Sequence, residues 1–552
     1  MQSLFKIAAV LMAVCLAGGA WARDLVIGIS QFPSNFHPSI DSMLAKSYVL
    51  GLTQRPFTVF DRRWELVCML CTELPTFENG KAVAEEAPGG KRGVALTYTI
   101  RPDARWGDGT PVTTRDVLFT WEVGRHPKSG VGNAEMYRRM WKLDIVDERT
   151  FVIHDEKLGF NYNAINDFRV LPEHLERKVF AADPETYRNR TLFDTDPTNP
   201  GLAFGPYRIA RVVPGSQIVL ERNPTWWGAV PVFERIVIKA IENTTALEAN
   251  LLSGEIDMIE GSAGLSLDQA LAFERRHGDR FRVFYKPGLV YEHLDVMLDN
   301  PALADRRVRQ ALLYGLDREA MSRKLFAGRQ PVADTFVHPL DWIHTDEVRR
   351  YVHDPAQAAA LLDAAGWKPG QGGLRRNAAG EPLRLELMTT AGNRSRELVE
   401  QVLQSQWRQL GIEVAIKNEP PRVFFGETVS KRKFGSLALF AWISSPENPP
   451  RSTLHSQEIP SEANGWSGQN YAGFRNARMD ELIDAIEGEL DRDKRKALWH
   501  ELQRLYAEEL PALPLFFQAE AHIWPRWLSG IEPTGHMAPV TSWVENWRDA
   551  RP

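Results

Sequence analysis

Between Leu383 and Ile416 the chain writes a strand, a helix and a second strand in immediate succession, and no other stretch constrains the fold as strongly. "LRLELMT" alternates apolar residues with a period of two. "SRELVEQVLQSQWRQLG" repeats them at helical spacing and stops on Gly411, and "IEVAI" alternates again. Two strands joined by one helix favour a parallel crossover, so the chain is expected to be mixed α/β. A further strand, in "SLALFAWISSPENPP", is expected to join that sheet. Leu437, Leu439 and Ala441 alternate there with Ala438, Phe440 and Trp442, so both faces are apolar and suit a strand covered on each side. After Trp442 it breaks into serines and prolines, as a strand built to present something at its end would.

The rest of the chain repeats this mixture. Ala95–Ile100 alternates as a strand, and Gly107-Asp108-Gly109 turns it toward a helix. Thr113 and Asp116 are spaced to cap that helix, and Val117, Leu118 and Trp121 give it an apolar face. Tyr207–Val213 and Ser216–Arg222 read as a hairpin around Pro214-Gly215, followed by a strand in "RIVIKAI", a helix ending at Gly254 and a short strand in "EIDMIE". Asp354, Pro355 and Gly366 punctuate another helix, and two amphipathic helices precede "PALPLFF". With 552 residues and about 150 residues per domain, some three domains are expected.

Lys6, the apolar run Ile7–Leu16 and "AWA" at 20–22 read as an export signal cut after Ala22, which places the mature protein outside the cytoplasm. Removing Lys6 takes the formal charge from −5 to −6. Such a mildly acidic chain lacks the basic footprint that nucleic-acid binding needs. After processing two cysteines remain, Cys68 and Cys71 in "ELVCMLCTEL". They read as a local disulfide, as buried thiols or as a redox pair; no second pair completes a zinc site. Phosphate-loop, zinc-protease, nucleophile-elbow and dinucleotide motifs are all absent, and "SKRK" at 430–433 matches S-x-x-K without its companion elements. Nothing in the sequence nominates an enzyme, a cofactor or a metal.

Three long phrases do carry a resemblance. "YTIRPDARWGDGTPVTTRDVLFTWE", "FGPYRIARVVPGSQIVLERNPTWWG" and "LADRRVRQALLYGLDREAM" resemble, in order, the signature stretches of the extracytoplasmic solute-binding proteins of oligopeptide and dipeptide ABC importers, family 5. The resemblance implies a type II periplasmic-binding-protein fold, with two hinged lobes plus an extra domain. It divides the chain into a signal peptide (1–22), lobe I in three parts (23–60, 203–285 and 515–552), an extra domain (61–202) and lobe II (286–514). It implies a periplasmic monomer without cofactor, which captures a peptide or peptide-like solute and passes it to a permease in the inner membrane. Alternatives left open are a redox protein or enzyme using Cys68 and Cys71, and a metal-chelate or haem carrier on the same fold.

By the same resemblance, peptide-binding members follow the strand's tryptophan with an aspartate that binds the ligand's terminal ammonium. Here Trp442, Ile443 and Ser444 lead to Ser445, whose neutral hydroxyl cannot pair a desolvated ammonium. Either Glu447 or a distant carboxylate takes that charge, or the ligand carries no ammonium there, or the loop makes no contact. Arg451 is either a fork for a ligand carboxylate or a solvated side chain. Phe32, Pro33 and Ser34, after the first strand, are expected to line the cleft. Asn393, in "TTAGNRS", stands at a helix start where amides could meet a carboxylate, or in a plain loop. Asn464, Trp466, Asn470 and Tyr471 form a polar aromatic loop that either covers a ligand or packs on the surface.

Overall fold

A computed structural model describes residues 24–40, 43–261, 263–464 and 466–551. The expected export segment and its expected cut after Ala22 lie outside the described residues. Among those described, no helix is long and apolar enough to cross a membrane.

One ten-stranded sheet runs through the molecule. In chain order its strands are β1 (Asp24–Ile29), β2 (Tyr207–Val213), β3 (Gln217–Arg222), β4 (Arg235–Ala240), β5 (Met258–Ile259), β6 (Phe281–Val296), β7 (Arg384–Met388), β8 (Glu413–Ile416), β9 (Leu437–Ile443) and β10 (Ala512–Pro525). Their order across the sheet is β8-β7-β9-β6-β10-β5-β1-β4-β3-β2. The expected crossover is present: β7 pairs parallel with β8, and the helix Arg394–Gln409 joins them. β9 lies parallel to β7 on its other side, as its two apolar faces anticipate. Leu437 and Leu439 enter one core with Trp407 and Leu403, whereas Ala438 and Phe440 enter another with Met388, Phe424 and Phe434.

The two longest strands tie the halves together. The first half of β6, Phe281 to Pro287, pairs with Ala519 to Pro525 of β10, beside the core built on Leu25, Ile27, Ile236 and Ile238. Its second half, from Val290 to Val296, pairs with β9 and belongs to the core of Leu294, Leu385, Leu437 and Leu513. Between Pro287 and Tyr291 the ladder with β10 loses register. Proline cannot donate a ladder hydrogen bond, and the amide of Leu289 instead donates to Gly535 O (3.0 Å). Two lobes therefore share one sheet, and the ladder between its two longest strands is interrupted here.

A third body is built on the antiparallel sheet of Ala82–Ala87, Lys91–Thr99, Thr150–Asp155 and Met140–Ile145. Its core holds Phe57, Tyr98, Trp106, Phe151 and Phe168. The helix Thr114–Arg125 starts with the expected capping box, Thr113 accepting from Arg115 and Asp116 accepting from the Thr113 amide. Cys68 and Cys71 form a disulfide, with Cys71 buried.

Candidate functional site

β9 runs out of cover at its C-terminal end. β7 pairs with it only at Leu437 and Ala438, and Thr389 Oγ1 then donates to Leu439 O (2.7 Å). Beyond that point β6 alone accompanies β9, through Ile443. Main-chain groups alternate between the two edges of a strand. Because Leu439 O faces away from β6, Ala441 and Ile443 turn their N–H and C=O toward the side without a strand neighbour. Ile443 is 65% exposed. An open edge of this kind is a template for an added extended segment.

Two cavities meet at this end, and both are walled by Ile443 and Ser444. The first, between the lobes, has a volume of about 60 Å³ and is lined by Leu44, Tyr48, Gln518, Glu520, His522 and the 533–540 loop. Glu260, fully buried behind it, has Oε1 3.3 Å from His522 Nδ1, and burial pushes its carboxyl above the usual range. The second lies inside the lobe of β7–β9, with a volume of about 150 Å³. Tyr291, His293 and Asp295 of β6 form its floor, and Trp442, Phe336 and Tyr506 form its walls. Tyr291 and Tyr506 join their hydroxyls (2.9 Å). Tyr291, His293, Trp442 and Tyr471 lie face to face in succession, at centroid spacings of 5.0, 6.3 and 5.8 Å.

Of the residues expected in the site, Trp442, Ile443 and Ser444 stand at this junction. Ser445 is exposed and outside both cavities, its carbonyl accepting from Asn448 N (3.3 Å). Glu447 does not face the cleft, and the expectation that it meets an ammonium there has no geometric basis. Its backbone is left-handed (φ 58°), it is 6% exposed, and its carboxylate accepts from Trp342 Nε1, while its amide donates to Asp341 Oδ2 (2.8 Å). Arg451 is neither free for a ligand nor simply solvated, because it pairs with Glu487 (2.8 Å) and with Asp484. Phe32 packs on the first core, Pro33 is buried, and the amide of exposed Ser34 donates to Met43 Sδ (3.3 Å); none lines either cavity. Asn393 caps the helix Arg394–Gln409 by accepting from Arg396 N (3.2 Å), which makes it a structural residue of that helix start.

Tyr471 comes from the glycine-rich loop expected to hold polar aromatics. Asn470 of the same loop is buried and spends its amide on Leu454, His455 and Phe474. Sequence reasoning missed Tyr291, His293 and Asp295. The signal was there in "YEHLDV": Tyr291, His293 and Asp295 stand at alternate positions and so share one face of the strand, with Glu292 on the other. It also missed Gln518, Glu520 and His522, because "PALPLFF" reads as a short extended end and β10 in fact continues for 14 residues.

Known proteins share this architecture. The oligopeptide-binding protein AppA of Bacillus subtilis is 24% identical over 94% of this chain and 91% of its own. The oligopeptide-binding protein of Thermus thermophilus, solved with a pentapeptide, is 30% identical, with a TM-score of 0.68 over 95% of this chain and 96% of its own. NikA of Brucella suis, solved with Fe(III)-EDTA, shares the fold at 20% identity, with a TM-score of 0.75 over 95% and 99%. The model of the bacterial extracellular solute-binding proteins, family 5, matches residues 83–459, and with the shared sheet and the two-lobed fold this establishes that the chain belongs to that family.

Proposed function

We propose that this protein captures a peptide or peptide-like solute between its lobes and delivers it to an inner-membrane ABC permease, acting as a periplasmic monomer whose export segment is removed after Ala22. The observation that carries this reading is the open edge of β9 at Ala441 and Ile443, whose end at Ile443 and Ser444 walls both cavities. An extended main chain can add there as a strand, gaining affinity from backbone hydrogen bonds while side chains fall alternately to either side. Micromolar binding needs about 8 kcal/mol, within reach of a segment enclosed by both lobes. Lobe closure is then a domain equilibrium that the ligand biases through contacts made only when shut. In this reading the lobe boundaries at 285/286 and 514/515 fall within β6 and β10, so the hinge is strand, and 61–202 forms the extra domain.

The charge missing at Ser445 is supplied, if the ligand carries an ammonium, from the opposite lobe. Glu520 lines the interlobe cavity beside Ser444, 3.8 Å from His522 Nε2, whereas the Glu447 carboxylate is turned onto Trp342. Native mass spectrometry of the purified protein should show a retained small solute, and thermal denaturation against a peptide panel should show a raised Tm. Glu520→Gln should weaken free-ammonium peptides and spare N-acetylated ones. No retained solute and no response to any peptide would overturn the reading, and metal content or visible absorbance in the isolated protein would move it to a chelate or haem carrier.

A further inference from the structure

The 150 Å³ cavity behind Trp442 combines aromatic walls with a polar floor. It is as large as an engineered protein cavity that admits a six-carbon ring, so it can hold one side chain. Its floor is polar although sealed from solvent. His293 is 1% exposed and its Nε2 has no hydrogen-bond partner among the described residues; Asp295 Oδ1 lies 3.2 Å away, in ion-pair range but outside hydrogen-bond geometry. Asp295 is itself buried. No lysine or arginine lines the cavity. Around the carboxylate, the hydroxyls of Tyr291, Tyr506 and Tyr471 are all pushed up, first by burial and in part by the charge of Asp295. With no lysine or arginine on the lining and only the His293 imidazole beside it, a buried carboxylate faced by tyrosines and the rim of a tryptophan can accept a cation that donates hydrogen bonds.

Building on the peptide reading above, we propose that this cavity takes a cationic side chain of the bound solute, guanidinium or ammonium, held on Asp295 between aromatic walls. The route in is short. Ile443 and Ser444 wall both cavities, so a ligand strand lying along the open edge at Ile443 can drop one side chain past Ser444 onto Asp295. The apolar stem of that side chain passes Trp442 and Phe336, and the charged head reaches the floor.

Paired tripeptides test this, carrying arginine or its neutral isostere citrulline at each position in turn, with affinity read by calorimetry. At one position arginine should bind at least tenfold more tightly than citrulline. Asp295→Asn should erase that preference, bringing arginine and citrulline peptides to the same affinity. Should that variant fold poorly by circular dichroism, Ala472→Leu, which fills the same cavity, should penalise arginine at that position and leave glycine there unaffected. Equal binding of arginine and citrulline peptides at all positions overturns the proposal while leaving the peptide reading intact. Binding of no peptide of either kind overturns both.

Discussion

Glu447 shows how one backbone angle decides the chemistry of a residue. Two positions past the missing aspartate, a carboxylate was a natural substitute for it, but a left-handed φ turns the side chain inward. No spacing rule anticipates a positive φ on a glutamate. Burial, followed by the nearby charge of Asp341, raises its pKa to about 7, against the opposing effects of the Trp342 hydrogen bond and of Arg495 and Arg492. A carboxyl that titrates higher in the folded than in the unfolded chain is bound to its proton first by the native state. Stability is therefore fullest below the unfolded value, near 4.5, and declines as pH rises toward about 7. Glu447→Gln should accordingly gain up to about 3 kcal/mol over the parent at pH 8 and nothing at pH 4, as measured by urea denaturation at both pH values. An equal effect at both would mean that Arg495 keeps the carboxylate charged. The end of β9, by contrast, was legible, because it follows from the order of residues along one strand, whereas Ser445, expected in the site, lies outside both cavities.

At the scale of elements, the sequence reading held where local chemistry is complete and failed where an element serves two bodies. The helix Thr114–Arg125 was readable from its capping box, and Val117, Leu118 and Trp121 do pack on the extra domain. Phe119 and Val123 instead enter the core of β1 and β4, a second face that a single-stripe reading cannot separate from noise. β6 was harder still, since it runs through Pro287-Gly288 and reaches a total of 16 residues. Gly288 is needed for a close approach: a Cβ there would lie 2.3 Å from Gly535 O, a backbone atom that cannot swing away. Gly288→Ala should therefore lower stability by about 1–3 kcal/mol, read as a reduced Tm. The disulfide closes only a short loop of the extra domain. Replacing both Cys68 and Cys71 by serine should cost about 2 kcal/mol by the loop-entropy relation and leave solute affinity unchanged; a lost turnover or a lost affinity would place function at that pair.

At the scale of the molecule, the order of motifs was enough to give family and fold, because a two-lobed α/β body repeats the same crossovers whatever it binds. The candidate site was only half legible, since it is assembled from β6, β9 and β10, which are separated in the chain by 140 and 68 residues. A bound solute at 100 times its Kd should stabilise the protein by about 2.7 kcal/mol and reduce its radius of gyration in small-angle scattering as the lobes close. A solute that raises Tm without compaction would bind outside the cleft.

The break in register between Pro287 and Tyr291 has a mechanical meaning. In the proposed lobe closure, strands rather than a loose tether join the halves, and the joint should act as a torsion spring whose stiffness resides in the few ladder bonds on either side of the break. Tension released there on opening should appear as faster amide exchange at Leu289 and Tyr291 in the empty protein than in the loaded one. A protease, finding no slack chain at the joint, should cut elsewhere first.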